Sequence, residues 1–372
     1  MVNDFLRNNA SLILLACLLC LPGCAPTKYV MQVDPGYRAG SIAPVFPAAP
    51  ETPRYRYAGQ LLGEDNFVVD GADKRGAGIK LFHWLVGLIG IGEEKVMLKR
   101  PQSGAVDAEG RVYVTDIGNQ AVFVFDQLVG KLLVWDQAEK NKTFATPIGI
   151  AIGAGGQILV ADAELGRVFR LDRDGKPLGS FGQGTLNRPT GLARDAQRGR
   201  IYVSDTPAHD VKVFDDDGRL LQTIGRRGEG EGELNFPTHL SFAGDKLYVA
   251  DSMNARVQIF DAQGKAAGTL GRRGLYIGNL TRPKGVTVDG SGNIYVVESF
   301  YDHLLVFNGQ GDFLLPITGD GQKGGQFYLP AGVWSDQNGR IYVADMYNGR
   351  IVIFQFLGGD QGTSEPSLAP AP

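Results

Sequence analysis

Six acidic residues recur along the chain at nearly one interval. They are Asp116, Asp162, Asp205, Asp251, Glu298 and Asp345, spaced 46, 43, 46, 47 and 47 residues apart. Two chemistries suit such a set. Carboxylates drawn into one ring could hold a metal ion. Alternatively, each could accept backbone N–H bonds at the turn after its own strand. Repetition in every unit favours the second reading, because a catalytic centre needs unlike groups to converge whereas equivalent turns need equivalent acids. Asn254 with Arg256, and Asn348 with Arg350, would brace the same corner.

A proline precedes each acid by 14–16 residues: Pro101, Pro147, Pro189, Pro237, Pro283 and Pro330. The residues just after these prolines are Gln102, Ile148, Thr190, Thr238, Lys284 and Ala331. One step further stand Ser103, Gly149, Gly191, His239, Gly285 and Gly332. His239 is the exception among small residues, and as a ligand or base it would be the reactive group of a polar mouth formed with Gln102, Thr190, Thr238 and Lys284. Packing or a plain hydrogen bond is the favoured role. Paired arginines, Arg226–Arg227 and Arg272–Arg273, occupy matched positions in successive units. With Lys284 they could hold an anionic group; equally, Glu229, Glu231 and Glu233 could leave them a neutralised, solvated face.

The chain has three cysteines, all near the N-terminus: Cys17, Cys20 and Cys24. Arg7 and an apolar run from Leu12 to Leu21 precede Pro-Gly-Cys. That run is too short to span a bilayer and suits a signal-peptide core. "LPGC" resembles a bacterial lipobox, which implies removal of residues 1–23, lipidation of Cys24 and a membrane anchor. An ordinary secretory signal is the alternative. By the same resemblance, Ala25 after the cysteine implies the outer membrane. A mature chain with one acylated cysteine excludes thiol catalysis and cysteine-metal sites. Net charge near −3 makes no case for nucleic acid.

The elements that position these residues follow from the period. Each unit reads as four short strands with glycine turns between, as in "GVTVD", "NIYVVE", "LLVFN" and "DFLLPITG". Six such units make an all-β, six-bladed β-propeller. The sixth lacks a fourth strand, and "RYRYAGQLLGEDNF" carries that pattern alone. Residues 55–62 are therefore expected to complete the last blade, removing exposed edges. Residues 24–53, rich in Pro and Ala, read as a tether, and residues 359–372 as a disordered tail. "GIKLFHWLVGLIGIGEE", residues 78–94, reads as a short apolar helical insertion that packs on the propeller or offers Trp84 to a partner or to lipid.

"DSMNARV" (251–257) and "DMYNGRI" (345–351) resemble the signature of NHL repeats, over about residues 55–357. The resemblance implies a six-bladed ring. Some members use three histidines to hold zinc, but His83, His209 and His303 do not share the repeat position of His239. The expected function is a non-catalytic binding or scaffolding module for a protein or anionic ligand, with no cofactor. A metal-dependent lyase or lactonase-like hydrolase working in the channel is the alternative.

Overall fold

The computed structural model describes residues 28–33, 43–70, 95–318, 321, 323 and 325–358. The signal segment, the insertion at 78–94 and the tail at 359–372 lie outside them.

Runs such as "VYVTD" (112–116) and "AVFVFD" (121–126) are β-branched and aromatic, and they are buried on both faces. A strand of that kind must be covered on each side, which a stack of sheets around an axis achieves. Blade 1 is Pro101–Val106, Val112–Asp116, Ala121–Asp126 and Lys131–Trp135. Blade 2 is Pro147–Ile152, Ile158–Asp162, Arg167–Leu171 and Pro177–Phe181. Blade 3 is Pro189–Asp195, Arg200–Asp205, Asp210–Asp215 and Leu220–Ile224. Blade 4 is Pro237–Ala243, Lys246–Asp251, Arg256–Asp261 and Ala266–Leu270. Blade 5 is Pro283–Val288, Ile294–Glu298, His303–Phe307 and Phe313–Thr318. Every pairing within them is antiparallel and follows chain order.

Blade 6 joins the two ends of the chain. Val333–Ser335, Arg340–Asp345 and Arg350–Phe356 are followed in space by Tyr55–Leu61, with Ile351 opposite Leu61 and Phe356 opposite Tyr55. The fourth strand expected from residues 55–62 is in place, and a short fifth strand, Val45–Phe46, pairs outside it. Hydrophobic clusters fill all six gaps between neighbouring blades, including the gap between blades 6 and 1 where the ring closes.

The segment read as a tether holds more structure than its composition suggests. Tyr29–Met31 pairs with Phe67–Val69. Val33 presses on Gly59, and Asn66 donates to the Gln32 and Gln60 carbonyls. The absence of a hydrophobic period in 25–53 hid this, because a three-residue strand on an outer edge needs only one or two apolar contacts.

The prolines and the repeated acids share one side of the ring, termed the upper face. Each innermost strand starts there, and each second strand ends there. The turns that join first to second and third to fourth strands form the lower face. Tyr29 lies against Gly130 in such a turn, so the N-terminal segment approaches from below.

Candidate functional site

The six acids fasten the upper face. Asp116 accepts from the Lys99, Arg100 and Asn119 N–H groups at 2.7, 2.9 and 2.8 Å. Asp162 takes four backbone N–H groups, from Ala145, Thr146, Glu164 and Leu165. Asp205 takes those of Asn187 and Arg188, and Glu298 those of Arg282 and Tyr301. Each carboxylate thus holds the loop entering its own blade, and in most blades the turn after the second strand as well. In blades 4 and 6 the following Asn and Arg join in. Arg256 reaches Asp251 at 2.9 Å and Arg350 reaches Asp345 at 2.8 Å, both also bonding loop carbonyls. Burial raises the pKa of Asp251 and Asp345 even against these donors.

The mouth residues surround the axis, but most of their polar atoms are already engaged, within their own blade or by the next one. Thr238 Oγ1 donates to the Lys284 carbonyl at 2.8 Å, and Thr190 Oγ1 pairs with Ser204 and Thr206. Gln102 Nε2 donates to the Arg100 and Pro101 carbonyls. The small residues two places after the prolines are dictated by packing. A Cβ on Gly191 would stand 2.3 Å from the Thr238 carbonyl, and one on Gly332 2.4 Å from that of Gln102. His239 meets the equivalent carbonyl with a hydrogen bond instead, Nδ1 to Lys284 O at 2.8 Å. Its ring reaches the neighbourhood of Gly332 in blade 6. Burial, aided by the Lys284 ammonium, pushes the imidazole down to about 4, so it is neutral at ordinary pH.

Charge without a partner collects above this level. Lys284 is half-buried, and desolvation, then Arg100, bring its ammonium down to about 8. Arg100, Arg188 and Arg282, each just before a proline in blades 1, 3 and 5, are exposed, and their side chains make no hydrogen bond or ion pair among the described residues. The sequence signal for them was available: the residue before the proline reads Arg, Thr, Arg, Phe, Arg, Leu around the ring. The paired arginines sit on this face in loops of one shape, with Arg227 bridged to Leu234 and Arg273 to Leu280. They are unequally free. Arg226 binds Glu233 at 3.0 Å, Arg272 meets Asn279, and Arg273 caps the Met253 carbonyl, which leaves Arg227 unengaged. No hydrogen bond among the described residues links these pairs to Lys284.

Beside the cations lies an apolar sector that sequence reasoning passed over. Leu275, Tyr276 and Ile277, at the tip of the loop entering blade 5, are 79%, 85% and 61% exposed. Phe300, Tyr301, Tyr328 and Tyr347 continue the patch over blades 5 and 6, with Met253 and Phe236 toward blade 4. Phe300 packs edge-on to Tyr301 at 4.9 Å and Tyr328 to Tyr347 at 5.1 Å. A shallow cavity of about 150 Å³ opens between Tyr276, Tyr301 and His303. Among the described residues, no three His, Cys, Asp or Glu side chains group as metal ligands. His209 accepts the Phe236 N–H and His303 opens the third strand of blade 5; His83 lies outside the described residues.

The ring resembles solved propellers. A virginiamycin B lyase from Staphylococcus aureus matches with a TM-score of 0.52 at 14% identity, over 70% of this chain and 96% of that one. A gluconolactonase from Xanthomonas campestris gives 0.53 at 18%, over 71% and 90%. A protein of unknown function from Bacteroides thetaiotaomicron gives 0.57 at 13%, over 88% and 90%. Identities this low carry the fold alone. No curated protein sequence matches the chain. The NHL repeat family matches residues 186–214 and 327–354, which cover the first three strands of blade 3 and the corresponding stretch of blade 6. With this repeat in two blades and its acid-capped corner in all six, the chain is an NHL-repeat six-bladed β-propeller.

Proposed function

We propose that the protein is a non-catalytic binding module that offers the upper face of blades 4–6 to an acidic partner segment bearing aromatic or aliphatic side chains. The observation that carries this reading is the coincidence of exposed apolar residues with uncommitted cations. Leu275, Tyr276, Ile277, Phe300 and Tyr347 share the upper face with Arg282 and Lys284, whose side chains pair with no carboxylate among the described residues. Aromatic anchors rimmed by arginine are what a protein interface uses, and unpaired guanidinium groups suit carboxylates.

The proposal includes a lipid anchor at Cys24 in a bacterial cell envelope, at the outer membrane. Lys28 lies at the lower rim, its carbonyl accepting from Asp70 N–H. Four residues from Cys24 to Lys28 reach at most about 14 Å. An anchor that short would hold the lower rim toward the bilayer and turn the upper face outward, which favours a partner in water over the membrane itself. A lyase or lactonase-like reading, as the named neighbours suggest, draws on the neutral imidazole of His239. Among the described residues no Asp, Glu or second His side chain hydrogen-bonds that imidazole.

The full chain in detergent, titrated with a random copolymer of glutamate and tyrosine and separately with polyglutamate, tests the face. Tighter binding of the copolymer, weakened at least about tenfold by replacing Leu275, Tyr276 and Ile277 with Ser, is the expected result. Equal binding of both polymers, or no effect of the substitutions, would retire the aromatic sector. Changing Cys24 to Ser should release the protein from membranes; retention there would count against lipid as the sole anchor.

A further inference from the structure

The loops entering blades 4, 5 and 6 share one shape. Gly228 N–H donates to Leu234 O, Gly274 N–H to Leu280 O and Gly321 N–H to Phe327 O. A second bond repeats with them, from Glu233 to Gly230, Asn279 to Tyr276 and Gln326 to Lys323. What lies beneath the loops differs. In blade 4 the Arg256 guanidinium fills the space, donating to the Glu229, Gly230 and Glu233 carbonyls and to Asp251, while Asn254 donates to Gly228 O. In blade 6 Arg350 and Asn348 do the same toward the Lys323, Gln326 and Gly321 carbonyls and Asp345. Blade 5 has neither residue. Counting from its acid, Glu298, as from Asp251 and Asp345, Tyr301 stands in place of the Asn and His303 in place of the Arg.

The shorter imidazole leaves the space open. The residues equivalent to the four partners of Arg256 are Leu275, Tyr276, Asn279 and Glu298, and all four line a cavity of about 150 Å³ together with Tyr301 and His303. An apolar cavity of about this volume holds one benzene ring. Its wall is reachable from water, since Leu275, Tyr276 and Ile277 are strongly exposed, and Leu305 lines it as a buried residue. The carboxylate and the amide oxygen in the lining are spent. Glu298 is 1% exposed and accepts the Arg282 and Tyr301 N–H groups, and Asn279 Oδ1 accepts from Arg272. A guanidinium from outside would therefore meet no free carboxylate. A ring would meet the Tyr276, Tyr301 and His303 rings, and aromatic pairs favour edge-on contact. Tyr301 and His303 already stand that way, at 84° with centroids 6.2 Å apart.

Charge decides what flanks the ring. Arg282, at the end of the same loop, is exposed, and its side chain makes no hydrogen bond or ion pair among the described residues. A guanidinium so placed suits a carboxylate.

We infer that the blade 5 corner is a receptor for one aromatic side chain of the partner, a ring of phenylalanine size with a carboxylate beside it. The inference rests on the upper-face reading for the partner, and on the difference between blades for the cavity.

The test titrates the full chain in detergent with Ac-Glu-Xaa-Glu-amide peptides in which Xaa is Phe, Leu, Arg or Ala. Benzyl alcohol, which carries the ring without the charge, is titrated separately and followed at the Ile277 methyl signal. The Phe peptide is expected to bind at least about tenfold more tightly than the Ala peptide. Tyr301→Asn with His303→Arg restores the corner of blades 4 and 6, and should bring the Phe peptide down to the affinity of the Ala peptide while leaving the latter unchanged. Should that chain fail to fold, Ile277→Ala on the exposed wall should weaken the Phe peptide at least about threefold and the Ala peptide not at all. Equal binding of the Phe and Ala peptides, or a Phe preference that survives the double variant, would overturn the cavity and leave the charged face standing. A Leu or Arg peptide that binds as tightly as Phe would overturn the ring assignment. Binding of no peptide would overturn the acidic partner; saturable benzyl alcohol binding, lost in the double variant, would then uphold the cavity alone, and its absence would overturn both.

Discussion

At the upper end of the channel, Lys284 and the arginines before alternate prolines carry charge with no counter-ion among the described residues, and exposed aromatic residues share that face. At the lower end the same six strands enclose a space lined by Ser103, Ser241 and Thr287, and the one guanidinium on its wall, Arg194, is tied to Asp216. His239 separates the two. The difference shows how a repeat specialises. The strand starts are tightly constrained by close backbone approach between blades, so variety enters at residues the packing leaves open: the position before the proline above, and the alternate wall positions below.

The largest expected effect concerns what holds the upper end in shape. Asp345→Ala leaves the buried Arg350 guanidinium without its ion-pair partner and frees the loop at Tyr328. A loss of about 3–5 kcal/mol in urea unfolding is expected. Asp205→Ala, which strands backbone N–H groups but no charge, should lose about 1–3 kcal/mol. Equal losses would show that the ion pair adds nothing to the turn.

An intermediate effect concerns the divide itself. The folded-state pKa of His239, about 4, lies below its ordinary 6.5. Between those values the unfolded chain binds a proton that the folded chain refuses, so this contribution to stability is lost as pH falls from 6.5 through 4. Wild type should therefore lose up to about 3 kcal/mol relative to His239→Gln across that window. Parallel curves would mean that the imidazole is not held neutral beside Lys284. The smallest effect separates binding from folding. Replacing Leu275, Tyr276 and Ile277 with Ser should change stability by only about 0.5 kcal/mol each, because their side chains are exposed. Larger losses would mark them as core.

The fold was legible because its markers repeat. Six acids and six prolines at one interval counted the blades, and a fourth-strand pattern at Tyr55–Leu61 without its first three strands located the closure. The candidate sites were legible only in part. His239 stood out against glycines, yet the reason for those glycines, backbone contact with the next blade, is a tertiary fact. Arg100, Arg188 and Arg282 escaped because their position marks no strand and each looked like an ordinary surface cation. Trp334 stands where the other blades have Ala105, Ala151, Ala193, Ser241 and Thr287, an outlier that strand patterning alone does not interpret. Thr190, Thr238 and Gln102, read as a polar mouth, are engaged by the Ser204 and Thr206 hydroxyls, the Lys284 carbonyl of the next blade and the Arg100 and Pro101 carbonyls respectively, and the first two partnerships are tertiary facts that no single-strand pattern encodes.

One side chain spanning from blade 4 toward blade 6 breaks the symmetry of the space inside the ring. Where four blades bring a glycine up to the next blade's carbonyl, blade 4 brings an imidazole, and its Nε2 lies 3.3 Å from where a Cβ on Gly332 would stand. Gly332 is therefore confined by two neighbours at once, the Gln102 carbonyl and the His239 ring, and any larger residue there would have to displace both.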